Sequence, residues 1–137
     1  MTQEDKDLLL KDLCARLPYG VKLGFYASAT KQTHICTLLG LEPQEDEPII
    51  AKTENGSFYM LAGNVKPYLF PMSSMTEEQK KELEDTLIEM ELKAISDEIK
   101  HVDVAAYEID FYNKHHIDYR GLIEKGLALD ATGLNIY

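Results

Sequence analysis

Asn64-Val65-Lys66-Pro67-Tyr68-Leu69-Phe70-Pro71-Met72-Ser73-Ser74-Met75-Thr76-Glu77-Glu78-Gln79-Lys80-Lys81-Glu82-Leu83 is the stretch in which the chain changes character. Before it, apolar residues alternate as in strands; after it, they recur at helical spacing. Pro67 and Pro71 each remove a backbone donor and push the preceding residue towards extended geometry, so neither suits a central strand or a helix interior. The sheet is therefore expected to end here, with Val65 to Phe70 as a short edge strand. Thr76 followed three residues later by Gln79 reads as a capping box, and Glu77 and Glu78 suit the positive end of a helix dipole. A helix is expected from Glu77.

Upstream, residues 2 to 16 place Leu8, Leu9, Leu13 and Cys14 on one side of a helix, with Leu10 and Ala15 beside them and Lys6, Asp7, Lys11 and Asp12 elsewhere. Pro18 and Gly20 stop it. From Val21 the period is two, with Val21, Leu23 and Phe25 facing one way. Thr33 to Leu41 reads as a second strand buried on both sides. It carries His34, Cys36 and Leu38 on one face and Ile35, Thr37, Leu39 and Leu41 on the other. After the acidic loop Glu42 to Glu47, a strand from Ile49 to Thr53 meets another from Ser57 to Leu61 across Asn55-Gly56, a strong hairpin signal. Ala62-Gly63-Asn64 makes the next turn.

Downstream, Leu83, Leu87, Met90 and Ala94 form one apolar stripe and Ile88, Leu92, Ile95 and Ile99 another, about 140° away round the helix. Such a helix must be wedged between two partners or bend, and a wedge is the preferred reading: sheet on one side, the last helices or a second copy of the chain on the other. His101-Val102 breaks the run. Asp103 is a candidate cap for a helix from Val104 to His115, with Val104, Tyr107, Ile109, Phe111 and Tyr112 as its apolar face. Asp118 is a candidate cap for a short helix ending at Lys125, with Gly126 as a left-handed terminator. The apolar tail from Leu127 to Tyr137 is expected to pack on the body.

One domain covers residues 1–137. It is α+β: a small curved antiparallel sheet or SH3-like barrel over about residues 19–70, a helix over 2–16, two to three helices within 77–126 and a packed tail over 127–137. The length of 137 residues suffices for a core without metal or disulfide support, and 45% apolar with 28% charged residues is a globular composition. No run approaches the ~18 apolar residues of a membrane span. The acidic first residues, Met-Thr-Gln-Glu-Asp-Lys-Asp, are unlike a secretory leader, and the expected location is cytoplasmic. The formal net charge of -10 divides unevenly: residues 1–70 carry 7 basic and 9 acidic side chains, residues 71–137 carry 7 and 15. That balance repels phosphate backbones, and Lys22, Lys31, Lys52 and Lys66 are the only candidates for a nucleic-acid face.

His115-His116-Ile117-Asp118-Tyr119-Arg120 is the densest group of reactive side chains. As a metal site it would use His115, His116 and Asp118, with His101 or His34 from afar. Adjacent helical histidines point about 100° apart, which argues for the plainer role of ending one helix and capping the next. Arg120 is then expected to pair with a carboxylate of the acidic half. Cys14 and Cys36 fit free, core-filling thiols, and Cys36 shares a strand face with His34. The sequence contains no nucleophile elbow, phosphate loop or calcium loop. Phe58, Tyr59, Tyr68 and Phe70 are candidates for a ligand-binding surface.

Two segments, Val65 to Glu78 and His115 to Leu129, with Tyr19-Gly20-Val21 as a weaker third point, resemble a family of small uncharacterised proteins of gut bacterial genomes and their phages or mobile elements. The resemblance implies an accessory role and supplies no catalytic residues or cofactor. From the residues themselves the expected function is a non-enzymatic interaction module, binding a protein partner or a second copy of itself, without membrane or nucleic acid. The alternatives are a small metal-dependent hydrolase using His115, His116 and Asp118, and a weak nucleic-acid-binding SH3-like module.

Overall fold

The computed structural model describes residues 1–95 and 104–137. Helix α1 (Gln3–Arg16) starts where the Thr2 hydroxyl accepts from the Asp5 N–H at 3.1 Å, and it buries Leu9, Leu10 and Leu13. A 3-10 turn over Leu17–Tyr19 and Gly20, left-handed at φ 66°, end it as Pro18 and Gly20 foretell. The leucines predicted to face inward do so, but Cys14 points to solvent while Asp12 and Arg16 are fully buried.

Strands β1 (Lys22–Ala27), β2 (Gln32–Leu41), β3 (Ile49–Thr53) and β4 (Gly56–Met60) form an antiparallel meander. In the β3–β4 hairpin, Thr53 pairs with Gly56, so Glu54 and Asn55 are the turn residues. Gly56 takes the positive φ of 117° as the first residue of β4. The next strand, β5 (Val65–Pro71), returns past a 3-10 turn at Ala62–Asn64 to lie antiparallel to β1.

Its other side is also occupied. The two-residue strands β6 (Ile117–Asp118) and β7 (Leu129–Asp130) both pair with it in parallel, giving the order β4-β3-β2-β1-β5-β6 with β7 also on β5. The sheet is thus mixed and curved, and it does not close into a barrel. β5 is a central strand and not the predicted edge. Pro67 is tolerated because it lies opposite Leu23 of β1, while pairing on the far side begins only at Tyr68.

The core lies between α1 and one face of the sheet: Leu9 and Leu13 meet Val21, Leu23, Cys36, Leu38, Ile49, Ala51 and Leu69, with Leu122, Leu127 and Ala128 closing it from the segment after β6. β2 buries Cys36 and Leu38 on that face only. Ile35 and Leu39 are 49% and 47% exposed, so the strand is one-sided, contrary to the two-sided expectation. A register shift between Leu38 and Gly40 marks a bulge where the strand bends.

Helix α2 (Glu77–Ile95) opens with the full capping box: the Gln79 N–H donates to the Thr76 hydroxyl at 3.1 Å, and the Thr76 N–H donates to the Gln79 amide oxygen at 3.0 Å. It packs against α3 (Val104–Lys114), and Leu83 of its first stripe is buried. The predicted wedge is not formed by these elements, because Ile88, Leu92 and Ile95 of the second stripe are 48%, 61% and 82% exposed. In α3, Phe111 is buried as expected and Ile109 is exposed. Ile99, His101, Val102 and Asp103 lie outside the described residues.

Beyond α3 the predicted last helix is a set of turns. Both Asp118 oxygens accept backbone N–H groups, from Leu122 at 2.8 Å and Ile123 at 2.9 Å, and Gly126 is left-handed at φ 75° as anticipated. The tail packs on the body: the Tyr137 hydroxyl donates to the Tyr68 carbonyl at 2.6 Å and accepts from the Lys22 N–H at 2.9 Å.

Candidate functional site

β2 is longer than either neighbour, and this difference builds the site. It pairs with β1 from Gln32 to Thr37 but with β3 only from Thr37 to Leu41. Among the described residues, no strand lies on the Thr33-to-Cys36 side of β2 that faces away from β1. The β1–β2 and β3–β4 hairpins therefore part at Thr37 and Lys52, leaving a groove of about 850 Å³ between them. Phe25, His34 and Ile35 line it from one hairpin, Thr53, Phe58 and Met60 from the other, with Leu61 and Asn64 at its end.

Local chemistry fixes the first wall. The hairpin tip closes with Lys31 N–H on the Ala27 carbonyl at 2.8 Å, Lys31 itself at a φ of 55°. His34 stacks on Phe25, ring centroids 5.4 Å apart, and its Nε2 lies 2.8 Å from the Thr30 hydroxyl. Phe58 and Met60 pair with Ala51 and Ile49 and so belong to the core-side face of β4, yet Phe58 is 47% exposed. Tyr26 and Tyr59 beside the groove are more open still. Among the described residues, the charged ones lining the groove are Glu47 and Glu54, and neither lysine nor arginine lines it. The arrangement suits an apolar ligand that carries positive charge.

Of the four aromatic residues singled out in the sequence, Phe58 and Tyr59 are at this site. Tyr68 is buried and Phe70 lies against Tyr137, ring centroids 5.8 Å apart. Among the candidate lysines, Lys22 and Lys52 flank Thr37 in one row across the sheet, and the Lys22 ammonium donates to the Thr37 hydroxyl at 2.8 Å. Cys36 Sγ donates to the Leu23 carbonyl at 3.6 Å, and burial pushes the thiol up to about 11, which removes it as a nucleophile near neutral pH.

His115, His116 and Asp118 do not converge. Asp118 spends its carboxylate on backbone N–H groups, His115 packs on Phe111 at 4.5 Å, and His116 stacks on Tyr137 at 3.7 Å. Among the described residues, no group of three or more histidine, cysteine or acidic side chains is placed to hold a metal ion. Arg120 pairs with Asp12 at 3.1 Å, a residue of the less acidic half, which corrects the expected partner.

Sequence reasoning missed the polar knot to which Arg120 belongs. Asp12 and Arg16, one helical turn apart and both 0% exposed, are joined at 2.8 Å; Arg16 also donates to the Ile117 carbonyl at 2.7 Å and sits 5.3 Å from the Tyr119 ring centroid. The available signal was spacing, since Arg16 falls seven residues after Leu9 and three after Leu13, on their face of the helix. The knot ties α1 to the segment carrying β6, with Arg16 Nη1 buried and without a hydrogen-bond partner among the described residues.

His116 makes that region pH-sensitive. Its backbone is left-handed at φ 58°, and burial first, then the charge of Arg16 and the neighbouring His115 and Lys22, push it from 6.5 down to about 4. Between these values the unfolded chain takes up a proton that the folded chain refuses. Stability is therefore full above about pH 6.5 and falls as the pH drops towards 4, by about 2 kcal/mol once solvent screening is included. Urea midpoints at pH 7 and pH 4.5 measure this loss, and a His116→Asn variant, whose side chain tolerates the left-handed backbone, loses less over the same interval.

No helix among the described residues is long and apolar enough to cross a membrane. Comparison of the chain with protein-family models, curated proteins and solved structures gives no match.

Proposed function

We propose that this chain is a non-enzymatic interaction module that binds a protein partner in the groove between its two hairpins. The observation that carries the reading is the coincidence of an apolar groove of about 850 Å³, exposed aromatic side chains and a strand edge that no described strand pairs, all in one place. An accessory role linked to phages or mobile elements belongs to the same reading, supported by the resemblance of the Val65-to-Glu78 and His115-to-Leu129 segments. A cytoplasmic setting is supported by two unpaired thiols.

Selection of a random linear peptide library on the immobilised protein tests the reading. Selected peptides are expected to lose about tenfold or more in affinity for a Phe58→Ala variant, because a half-exposed aromatic contributes to contact more than to stability. Peptides that bind Phe58→Ala as well as wild type, or no selected peptides at all, would sink it.

A second reading, self-association through α2, is favoured by the exposure of Ile88, Leu92 and Ile95. Sedimentation velocity of wild type against Leu92→Glu separates it from the first, since only self-association through that stripe is lost in the variant.

A further inference from the structure

We propose that the groove takes an extended, positively charged segment of a partner protein, which adds as a strand to the free edge of β2. The inference rests on the binding reading above and names its ligand.

Three observations converge on it. From Thr33 to Cys36 the open side of β2 offers backbone donors and acceptors that no described strand satisfies, over roughly 13 Å at about 3.3 Å per residue. Natural edges are guarded by proline, lysine or a bulge, and Thr33-His34-Ile35-Cys36 has none of these; the bulge of β2 comes later, between Leu38 and Gly40. An added strand alternates its side chains, so every second residue would face the apolar wall of Phe25, Phe58 and Met60 while the others face the rim.

Charge selects among the extended segments that could enter. The rim carboxylates are Glu47 and Glu54, with Glu42, Glu45 and Asp46 in the same exposed loop as Glu47, and the whole chain is at -10. A segment alternating apolar and basic residues is drawn in by this field, and an acidic one is repelled. A second copy of this chain would bring the same carboxylates against the rim, so the field argues against β2-to-β2 pairing.

The test uses eight-residue peptides of alternating leucine and lysine, their leucine–glutamate counterparts, and two N-methylated leucine–lysine peptides, one methylated at every leucine and the other at every lysine. In a paired strand, alternate N–H groups face opposite edges. Strand addition therefore requires one methylated peptide to lose binding by about tenfold or more while the other keeps most of it. The leucine–lysine peptide is expected to bind and to slow amide exchange within Thr33 to Cys36. It is also expected to weaken about tenfold with a Glu47→Lys, Glu54→Lys protein, whose exposed substitutions leave the fold intact.

Equal binding of the two methylated peptides, equal binding of the leucine–glutamate series, or binding indifferent to Phe58→Ala would overturn the proposal. So would pairing between two copies of the chain in place of peptide uptake. If library-selected peptides need Phe58 but are neither basic nor extended, the strand proposal falls and the groove reading stands. If nothing binds the groove, both fall.

Discussion

Replacing Asp12 with alanine is expected to cost about 3–5 kcal/mol of unfolding free energy. The reason is the company Asp12 keeps. Its carboxylate holds Arg16 at 2.8 Å and Arg120 at 3.1 Å, and both Asp12 and Arg16 are fully buried. Removing the carboxylate leaves the Arg16 guanidinium in the interior with only the Ile117 carbonyl and the face of Tyr119 to offset its charge. Arg120 is 20% exposed and can turn to water, so most of the loss arises at Arg16. Joint replacement, Asp12→Leu with Arg16→Met, removes both charges and is expected to cost less than Asp12→Ala alone, since an apolar pair of similar volume carries no desolvation penalty. Urea unfolding of the single and double variants at pH 7 checks both expectations, and a double variant less stable than the single one would show that the knot contributes more than charge compensation.

Leu69→Ala is the second large effect, at about 3–5 kcal/mol. Leu69 is 0% exposed, belongs to the main core cluster and sits on a strand paired on both sides. Its carbonyl accepts from the Ala131 N–H at 2.8 Å, so the backbone around the deleted side chain is pinned from the tail and has little freedom to collapse into the cavity. An edge strand could shift and recover part of the loss. A measured cost under about 1.5 kcal/mol would therefore mean that β5 relaxes as an edge does.

The contrast between these two residues shows what the sequence discloses. Features written in neighbouring residues were legible: Thr76 and Gln79 bond as their spacing requires, Gly56 punctuates the hairpin, and Leu9 and Leu13 face inward because a helix repeats every few residues. Features that depend on distant partners were not. Asp12 reads as a solvated charge until Arg120 arrives from more than a hundred residues away, and Pro67 looks like an edge marker until two short strands from beyond α3 pair beside it. The groove was half legible. Phe58 and Tyr59 stood out as a candidate surface, whereas the open flank of β2 depends on where β3 stops pairing, a matter of register that periodicity does not encode.

Strand β5 also settles how α2 and α3 are attached. Phe70 pairs with Ile117 and Pro71 with Asp118, so the chain leaves the sheet at Pro71 and re-enters it beside the point of departure. Topologically, α2 and α3 are an excursion with a narrow neck, and the entropy of closing such a neck rises only by about 0.6 kcal/mol for each doubling of its contour. Changes of length within this excursion are thus expected to leave the sheet and its groove in place, so long as α3 keeps its packing on α1 and its buried Phe111 and Asn113.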